Sequence, residues 1–468
     1  MNMLGNKIAV ILTLLILIST IGCEEQKIEE GNVVQIEDLG IRKGVFERRF
    51  AMTSTYNENT EFTPKLLKSE IDKTLLPNYL LINDAYKLGL NKDQKFINKV
   101  LMYKLNILAA NHPIYTENFS FSKEEMIEFY NKKEFVFDFE LVKNISYYQV
   151  DSIYKYLKQG NEIEFNDDDK RMQSLPSKFE FTNSTYAENG PAELYDKLLE
   201  MKEGEVSEPI FTASVWVVVK LKQKKKIKQK PYEEFQKDLI DQYQQIMKDK
   251  QVKLLTKNLR EKYNLKIFQE NSEKIIKSFF ALNGYGSFKR ERLNESDLDD
   301  IIISTTEEKI NLEFLVFALN GSMKFNSVEK IAQKDIDEFV NNFANIIVLY
   351  SDALEKGVDN IEIIRDKFEN NENRLLYSKY LKVEISDKIS VSEEDAKDYY
   401  NNNRDEWKGE FNEVKYNIIR KLRQKLMYQR SDELIEKFKS DINVQYNEKL
   451  LKKLADKFTE EKKSAIKE

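Results

Sequence analysis

The chain has 468 residues, 33% of them charged, and only 14 glycines and 7 prolines interrupt it. That composition suits long solvated helices and disfavours a turn-rich β-sandwich. Lysine plus arginine number 74 against 80 for aspartate plus glutamate, a net charge of −6, which argues against a general nucleic-acid or acidic-membrane binder.

The N-terminus carries Lys7 and then an apolar run over residues 8–21, the pattern of an export signal. At about 14 residues and about 1.5 Å of rise each, the run is short for a permanent bilayer span. It ends at Thr20-Ile21-Gly22-Cys23, which resembles a bacterial lipobox, with Thr20 where that motif prefers leucine. Cys23 is the single cysteine, so no internal disulfide is available and its position points to lipidation. Residues 1–22 are therefore expected to be a lipoprotein signal peptide. Residues 23–37, mostly polar and acidic, are expected to be a tether to a lipid-anchored membrane position. The remaining chain is long enough for two or three domains.

Helical spacing begins at Val45-Phe46 and Phe50-Ala51-Met52, and continues after Pro64 through Leu66-Leu67, Ile71 and Leu75-Leu76. Helices are expected over 80–88 and 93–110, the second stopping before His112-Pro113 because a residue preceding proline is pushed out of the helical region. His112, the only histidine, is expected in a loop. Ser122-Lys123-Glu124-Glu125 has the form of a capping box and opens the next helix. Then the period changes. Phe135, Phe137, Phe139 and Leu141 alternate with other residues as in a strand, and the β-branched run over 213–221 predicts a second, more buried strand. Helices over 150–159 and 192–201 lie between them. The Lys224-Lys225-Lys226 run reads as a solvated linker, and a long amphipathic helix resumes at Pro231.

Two segments recur. Phe50-Ala51-Met52 has a counterpart in Phe317-Ala318-Leu319, and residues 122–131 (SKEEMIEFYN) have one in 392–401 (SEEDAKDYYN), both at an offset of about 270. Tyr232-Glu233-Glu234-Phe235 aligns with Phe411-Asn412-Glu413-Val414 at only about 180. The difference of about 90 residues is the α+β module. The expected fold is thus α+β and predominantly helical. One helical unit (38–134 with 231–275) carries an inserted module (135–230), and a second unit (276–468) lacks the insert.

Glu203-Gly204-Glu205-Val206-Ser207-Glu208-Pro209-Ile210, the strand residues 215–221 after it, and the helix ending in KQGNEIEF are similar to parvulin-type peptidyl-prolyl isomerases and chaperones of the bacterial envelope, the SurA-like and PrsA-like folding factors. The resemblance implies a parvulin-like domain flanked by helices that bind unfolded or nascent exported polypeptides. It also implies two histidines in the domain. The first context here reads Lys143-Asn144-Ile145-Ser146 and the last Val215-Trp216-Val217, which puts Asn144 and Val217 at the histidine positions. Valine cannot hydrogen-bond, so the family's buried network cannot be rebuilt in its usual form. No catalytic residue is therefore assigned, and Trp216, Phe139, Phe181 and Leu194 are the candidate substrate contacts.

No Gly-rich phosphate loop, Cys/His metal spacing or Ser-His-Asp set is evident, so neither metal nor cofactor is expected. The acidic runs Asp167-Asp168-Asp169 and Asp297 to Asp300 lack the spacing of a calcium loop and read as solvated turns. The leading expectation is a lipid-anchored holdase with an inactive parvulin-like domain. An active peptidyl-prolyl isomerase and a structural or adhesive surface lipoprotein are the alternatives.

Overall fold

The computed structural model describes residues 28–29, 31–51, 60–162, 177–212, 215–282, 285–322, 325–326 and 328–465. The signal segment, Cys23 and the Asp167-Asp168-Asp169 run lie outside the described residues. Among the described residues, no helix is long and apolar enough to cross a membrane.

The first copy of the repeat begins with β1 (Asn32–Ile36) and β2 (Leu39–Arg42), followed by α1 (Lys43–Ala51), α2 (Pro64–Thr74), α3 (Leu76–Lys87), α4 (Gln94–Ala110) and α5 (Lys123–Lys132). Local chemistry sets these bounds. Pro64 stands in the first turn of α2, and Thr63 accepts the Leu66 N–H at 3.2 Å. Gly89, at φ 68°, reverses the chain after α3 in a left-handed conformation that a side chain would disfavour. At α5, Ser122 Oγ accepts the Glu125 N–H and Glu125 Oε2 accepts the Ser122 N–H, at 3.1 and 2.7 Å.

The inserted module follows as β3 (Phe135–Asn144), α6 (Tyr147–Lys158), β4 (Ser177–Thr185), α7 (Ala192–Glu200), β5 (Ile210–Thr212) and β6 (Val215–Lys226). Its four strands form one antiparallel sheet in the order β4-β3-β6-β5. The first copy closes with α8 (Tyr232–Lys262) and β7 (Lys266–Ile267). A hairpin of β8 (Phe279–Leu282) and β9 (Tyr285–Phe288) leads to the second copy. This comprises β10 (Ile301–Ser304), β11 (Lys309–Asn311), α9 (Leu312–Gly321), α10 (Gln333–Glu355), α11 (Glu362–Tyr380), α12 (Glu393–Asn402), α13 (Phe411–Asp441), β12 (Val444–Tyr446) and α14 (Glu448–Ala465).

The two copies match in detail. Gly357 has φ 69° against 68° for Gly89, the Ser392/Asp395 capping box repeats that of Ser122/Glu125, and α8 and α13 each have 31 residues. Where the first copy holds the module between α5 and α8, the second has a short connection around Trp407 between α12 and α13.

The folded units are not the copies. One unit contains the described residues of Met1–Val100 together with Glu362–Glu468, and the other is Leu101–Ile361. Each takes parts from both copies. In the first unit β12 of the second copy pairs with β1, which pairs with β2. In the other unit β7 of the first copy pairs with β10, which pairs with β11. The same three-stranded pattern thus occurs twice, each time completed by the other copy.

This arrangement corrects several expectations. Residues 32–36 are not tether: Val33, Val34 and Ile36 are fully buried between strands and under Leu67, Ile71, Leu451 and Leu454. The partner strand at Val444–Tyr446 is remote in sequence, so local polarity gave no sign of it. The expected helical unit at 276–468 contains four strands before its first long helix, and its residues are divided between the two units. The Lys224–Lys226 run belongs to β6, where Lys224 Nζ donates to the Leu199 and Met201 carbonyls at the end of α7 at 2.8 and 2.9 Å. His112 is 1% exposed. Its Nδ1 accepts the Ile114 N–H at 3.1 Å and its Nε2 lies 2.8 Å from Asp352 Oδ2, a pairing that gives Nε2 the proton. In the other unit the equivalent Asp84 accepts from the Tyr380 hydroxyl at 2.8 Å.

Candidate functional site

The module's sheet has two unlike faces. Strand register pairs Phe139 with Leu221, Leu141 with Val219, Lys143 with Val217, and Asn144 with Trp216. Because side chains alternate, residues 139, 141, 143, 217, 219 and 221 point to one side, and Asn144, Val142, Trp216 and Val218 to the other. Phe137 and Phe139 share the first face by simple alternation, and the extra residue that β4 carries between Phe181 and Ser184 keeps both of those on it as well.

That first face is an apolar core shared with α5, α7 and α8. Phe139, Val217, Leu194, Tyr195 and Leu198 pack there with Phe129 and Tyr243. Phe139 stacks on Phe181 with centroids 4.8 Å apart, and Phe181 continues to Phe179 at 6.4 Å. Phe139, Leu194 and Val217 are at most 3% exposed, whereas Phe181 is half-buried and Phe179 is 38% exposed. The aromatic stack therefore runs from the core to the surface, and the Lys143 ammonium lies 4.5 Å from the Phe179 ring centroid at its outer end. The polar groups at the inner end are Ser184 and Tyr195, whose hydroxyls are 2.5 Å apart; burial raises the Tyr195 phenol above its ordinary range.

The second face does different work. Asn144 Oδ1 accepts the Ser146 N–H at 2.8 Å, and Ser146 Oγ donates to the Lys330 carbonyl. Asp335, fully buried at the start of α10, accepts from Trp216 Nε1 at 3.0 Å, from the Tyr147 N–H at 2.7 Å and from the Ala332 N–H at 2.9 Å. Lys334 lies over the Tyr147 and Trp216 rings. Asn144 and Trp216 thus join the module to α10 inside the unit Leu101–Ile361.

Of the six residues singled out in the module, the fold brings Phe139, Phe181, Leu194 and Val217 into one cluster and places Asn144 and Trp216 on the opposite side. Asn144 and Val217 cannot belong to one side-chain network, because a one-residue step along a strand reverses the face. The β3 positions that share the face of Val217 are Phe139, Leu141 and Lys143. None is a histidine. Phe179 and Lys143 escaped notice in the sequence, although Phe179 and Phe181 alternate as strand residues do. Asp335 carried no local signal.

A second kind of cavity occurs in each copy. Between α5 and α8 a groove of about 230 Å³ is lined by Glu128, Phe129, Tyr243 and Met247; between α12 and α13 one of about 510 Å³ is lined by Asp398, Tyr399, Leu422 and Leu426. These residues correspond one to one when the copies are aligned. Leu254 and Leu426 leave apolar surface exposed at the two rims.

Among known proteins, the family model of the PPIC-type PPIase domain matches residues 122–238. No curated protein matches the chain. Two similar solved structures are PrsA from Bacillus subtilis and one from work on PEB4 and Cj1289, two SurA-like chaperones of Campylobacter jejuni. The first is 12% identical over 47% of this chain and 88% of its own, with a TM-score of 0.16. The second is 15% identical over 49% and 97%, with a TM-score of 0.17. The domain match begins at Ser122, the cap of α5, and ends inside α8, so it takes in the whole inserted module.

Proposed function

Since residues 122–238 form a domain of the PPIC-type peptidyl-prolyl isomerase family, we propose that the chain is an extracytoplasmic folding factor that holds unfolded exported polypeptides and has lost catalysis in this domain. The observation that carries the reading is the aromatic stack from Phe139 through Phe181 to Phe179 on a face without an imidazole. Prolyl isomerisation has a barrier of about 20 kcal/mol and is accelerated by groups that desolvate and polarise the amide. Side chains as buried as Phe139, Leu194 and Val217 cannot touch a peptide without rearrangement. Phe179 and Phe181 can, as an apolar platform for client side chains, and the paired grooves beside α8 and α13 add apolar surface of the kind that binds extended chains weakly.

Lipidation at Cys23 would hold this binder where exported chains emerge, and loss of lipid labelling in Cys23→Ala tests it. The holdase reading is tested by aggregation of an unfolded secreted protein in the presence of the chain. Suppression is expected at equimolar ratio and should weaken in Phe179→Ser/Phe181→Ser. No suppression by the wild type would sink the proposal. The family match itself favours the second reading, an active isomerase, which turnover of a proline peptide would reveal.

A further inference from the structure

In the unit built from Met1–Val100 and Glu362–Glu468, the first turns of α4 and the end of α11 enclose a cleft of about 570 Å³. Its floor is apolar: Phe96 is buried in the unit's core, and Leu375 and Val383 pack beside it, half-exposed to the cleft. Val383 belongs to a π-helical turn, Leu381–Ile385, that continues α11. Such turns inside helices are frequent at functional sites.

The walls are basic. Lys95 and Lys99 stand one turn apart on α4, and Lys379 and Lys382 face them from the other wall. Lys379 is neutralised by Asp93 at 3.0 Å and also donates to the Leu90 carbonyl. Lys382 is paired with Asp387 at 2.7 Å, and its side chain is 71% exposed. Lys95 and Lys99 are exposed and make no ion pair among the described residues. Four lysines and one aspartate therefore line an apolar cleft in a chain whose net charge is −6. Most of the rim does not follow from the duplication. Aligned on Gly89 and Gly357, the other copy has a lysine, Lys367, at the place of Lys99, but Ile363, Asn111 and Ile114 at the places of Lys95, Lys379 and Lys382.

We propose that this cleft binds segments of unfolded polypeptide in which an apolar side chain is flanked by carboxylates. The inference rests on the folding-factor reading and gives that reading a client preference. The apolar floor takes the central side chain. The charges of Lys95 and Lys99 on the α4 wall, which no carboxylate offsets among the described residues, match acidic residues placed beside it.

The test uses the full chain and short fluorescent peptides with one apolar core, flanked either by aspartate and glutamate or by lysine, followed by anisotropy. The acid-flanked peptide is expected to bind about tenfold more tightly and to lose that advantage in high salt. Lys95→Glu/Lys99→Glu should abolish the preference. Both side chains are exposed, and an unchanged circular dichroism spectrum and melting curve would show the variant folded. Leu375→Ser should weaken both peptides without changing their ratio. Equal binding of the two peptides by the wild type, or an unaltered preference in the lysine variant, overturns the assignment. So does charge-dependent binding to anionic phospholipid vesicles that the acid-flanked peptide cannot compete off. If the wild type prevents aggregation while showing no acidic preference, the cleft proposal fails and the holdase reading stands. If it neither prevents aggregation nor binds peptide, both fail.

Discussion

Asp335 offers the sharpest structural test, because one carboxylate joins the PPIC-type module to α10. In Asp335→Ala the Trp216 indole N–H and the Tyr147 and Ala332 amides lose this acceptor together. An unpaired buried donor costs about 1–3 kcal/mol. With Trp216 fully buried and the other two half-buried, the loss should be about 3–5 kcal/mol, a large part of a domain stability of about 5–15 kcal/mol. Asp335→Asn keeps the oxygen that serves Trp216 and Tyr147 and turns the other toward Ala332 as a donor, so about 1–2 kcal/mol is expected. The chain has two tryptophans, and in a Trp407→Phe background the fluorescence of Trp216 reports on this junction alone during urea unfolding. The Ala midpoint should fall by about 1–5 M at the slopes typical of small domains, and the Asn midpoint by less than half as much. An Ala variant within about 0.5 kcal/mol of its parent, or an Asn variant worse than Ala, would refute the reasoning.

Further outcomes follow from the same geometry. Asn144→His/Val217→His should gain no isomerase activity, since the two side chains face opposite sides of the sheet; a gain in a protease-coupled proline-peptide assay would contradict the register. A protease site placed in the exposed segment 291–296 should yield two pieces that co-elute after cleavage, because β12 completes β1–β2 and β7 completes β10–β11. Separation without denaturant would show the exchange to be wrong. Two carboxyls predict opposite pH responses. Burial alone would raise Asp352, but donors from Lys356, His112 and Lys262 outweigh it and hold the carboxyl well below the usual range. Its contribution is present above its unfolded pKa, near 3.8, and is lost as pH falls toward its lower folded value. Burial pushes Glu369 up to about 7 despite Arg42 Nε at 2.6 Å. The stability linked to this group is present below about 4.5 and is lost as pH rises through about 7, so Glu369→Gln should raise the melting temperature at pH 8 and change it little at pH 4.

What the sequence disclosed was whatever local chemistry determines. The boxes at Ser122 and Ser392, the alternation of Phe135, Phe137 and Phe139, and the offset between the duplicated helices all marked real elements. The copies were more alike than the short matches suggested: Asn83-Asp84-Ala85 and Ser351-Asp352-Ala353, each followed by a left-handed glycine, would have aligned the intervening helices too. Partnerships across the chain were hidden. Nothing in Asn32–Ile36 announces Val444–Tyr446, and nothing in a lone histidine before a proline announces Asp352. The exchange of strands between copies is a tertiary choice that repeats in sequence cannot reveal. The site was half-legible for the same reason. Phe139, Phe181, Leu194 and Val217 share a face, but placing Asn144 on the opposite one required a strand register that only the pairing of β3 with β6 supplies.

The module is expected to bind chains without isomerising prolines, and NMR exchange between cis and trans forms of a proline peptide measures this directly. With the full wild-type chain at catalytic concentration, the exchange rate should remain at its uncatalysed value under conditions where the same preparation prevents an unfolded protein from aggregating. Exchange accelerated in proportion to the amount of chain, and abolished by disrupting the face of Phe139 and Val217, would contradict the account.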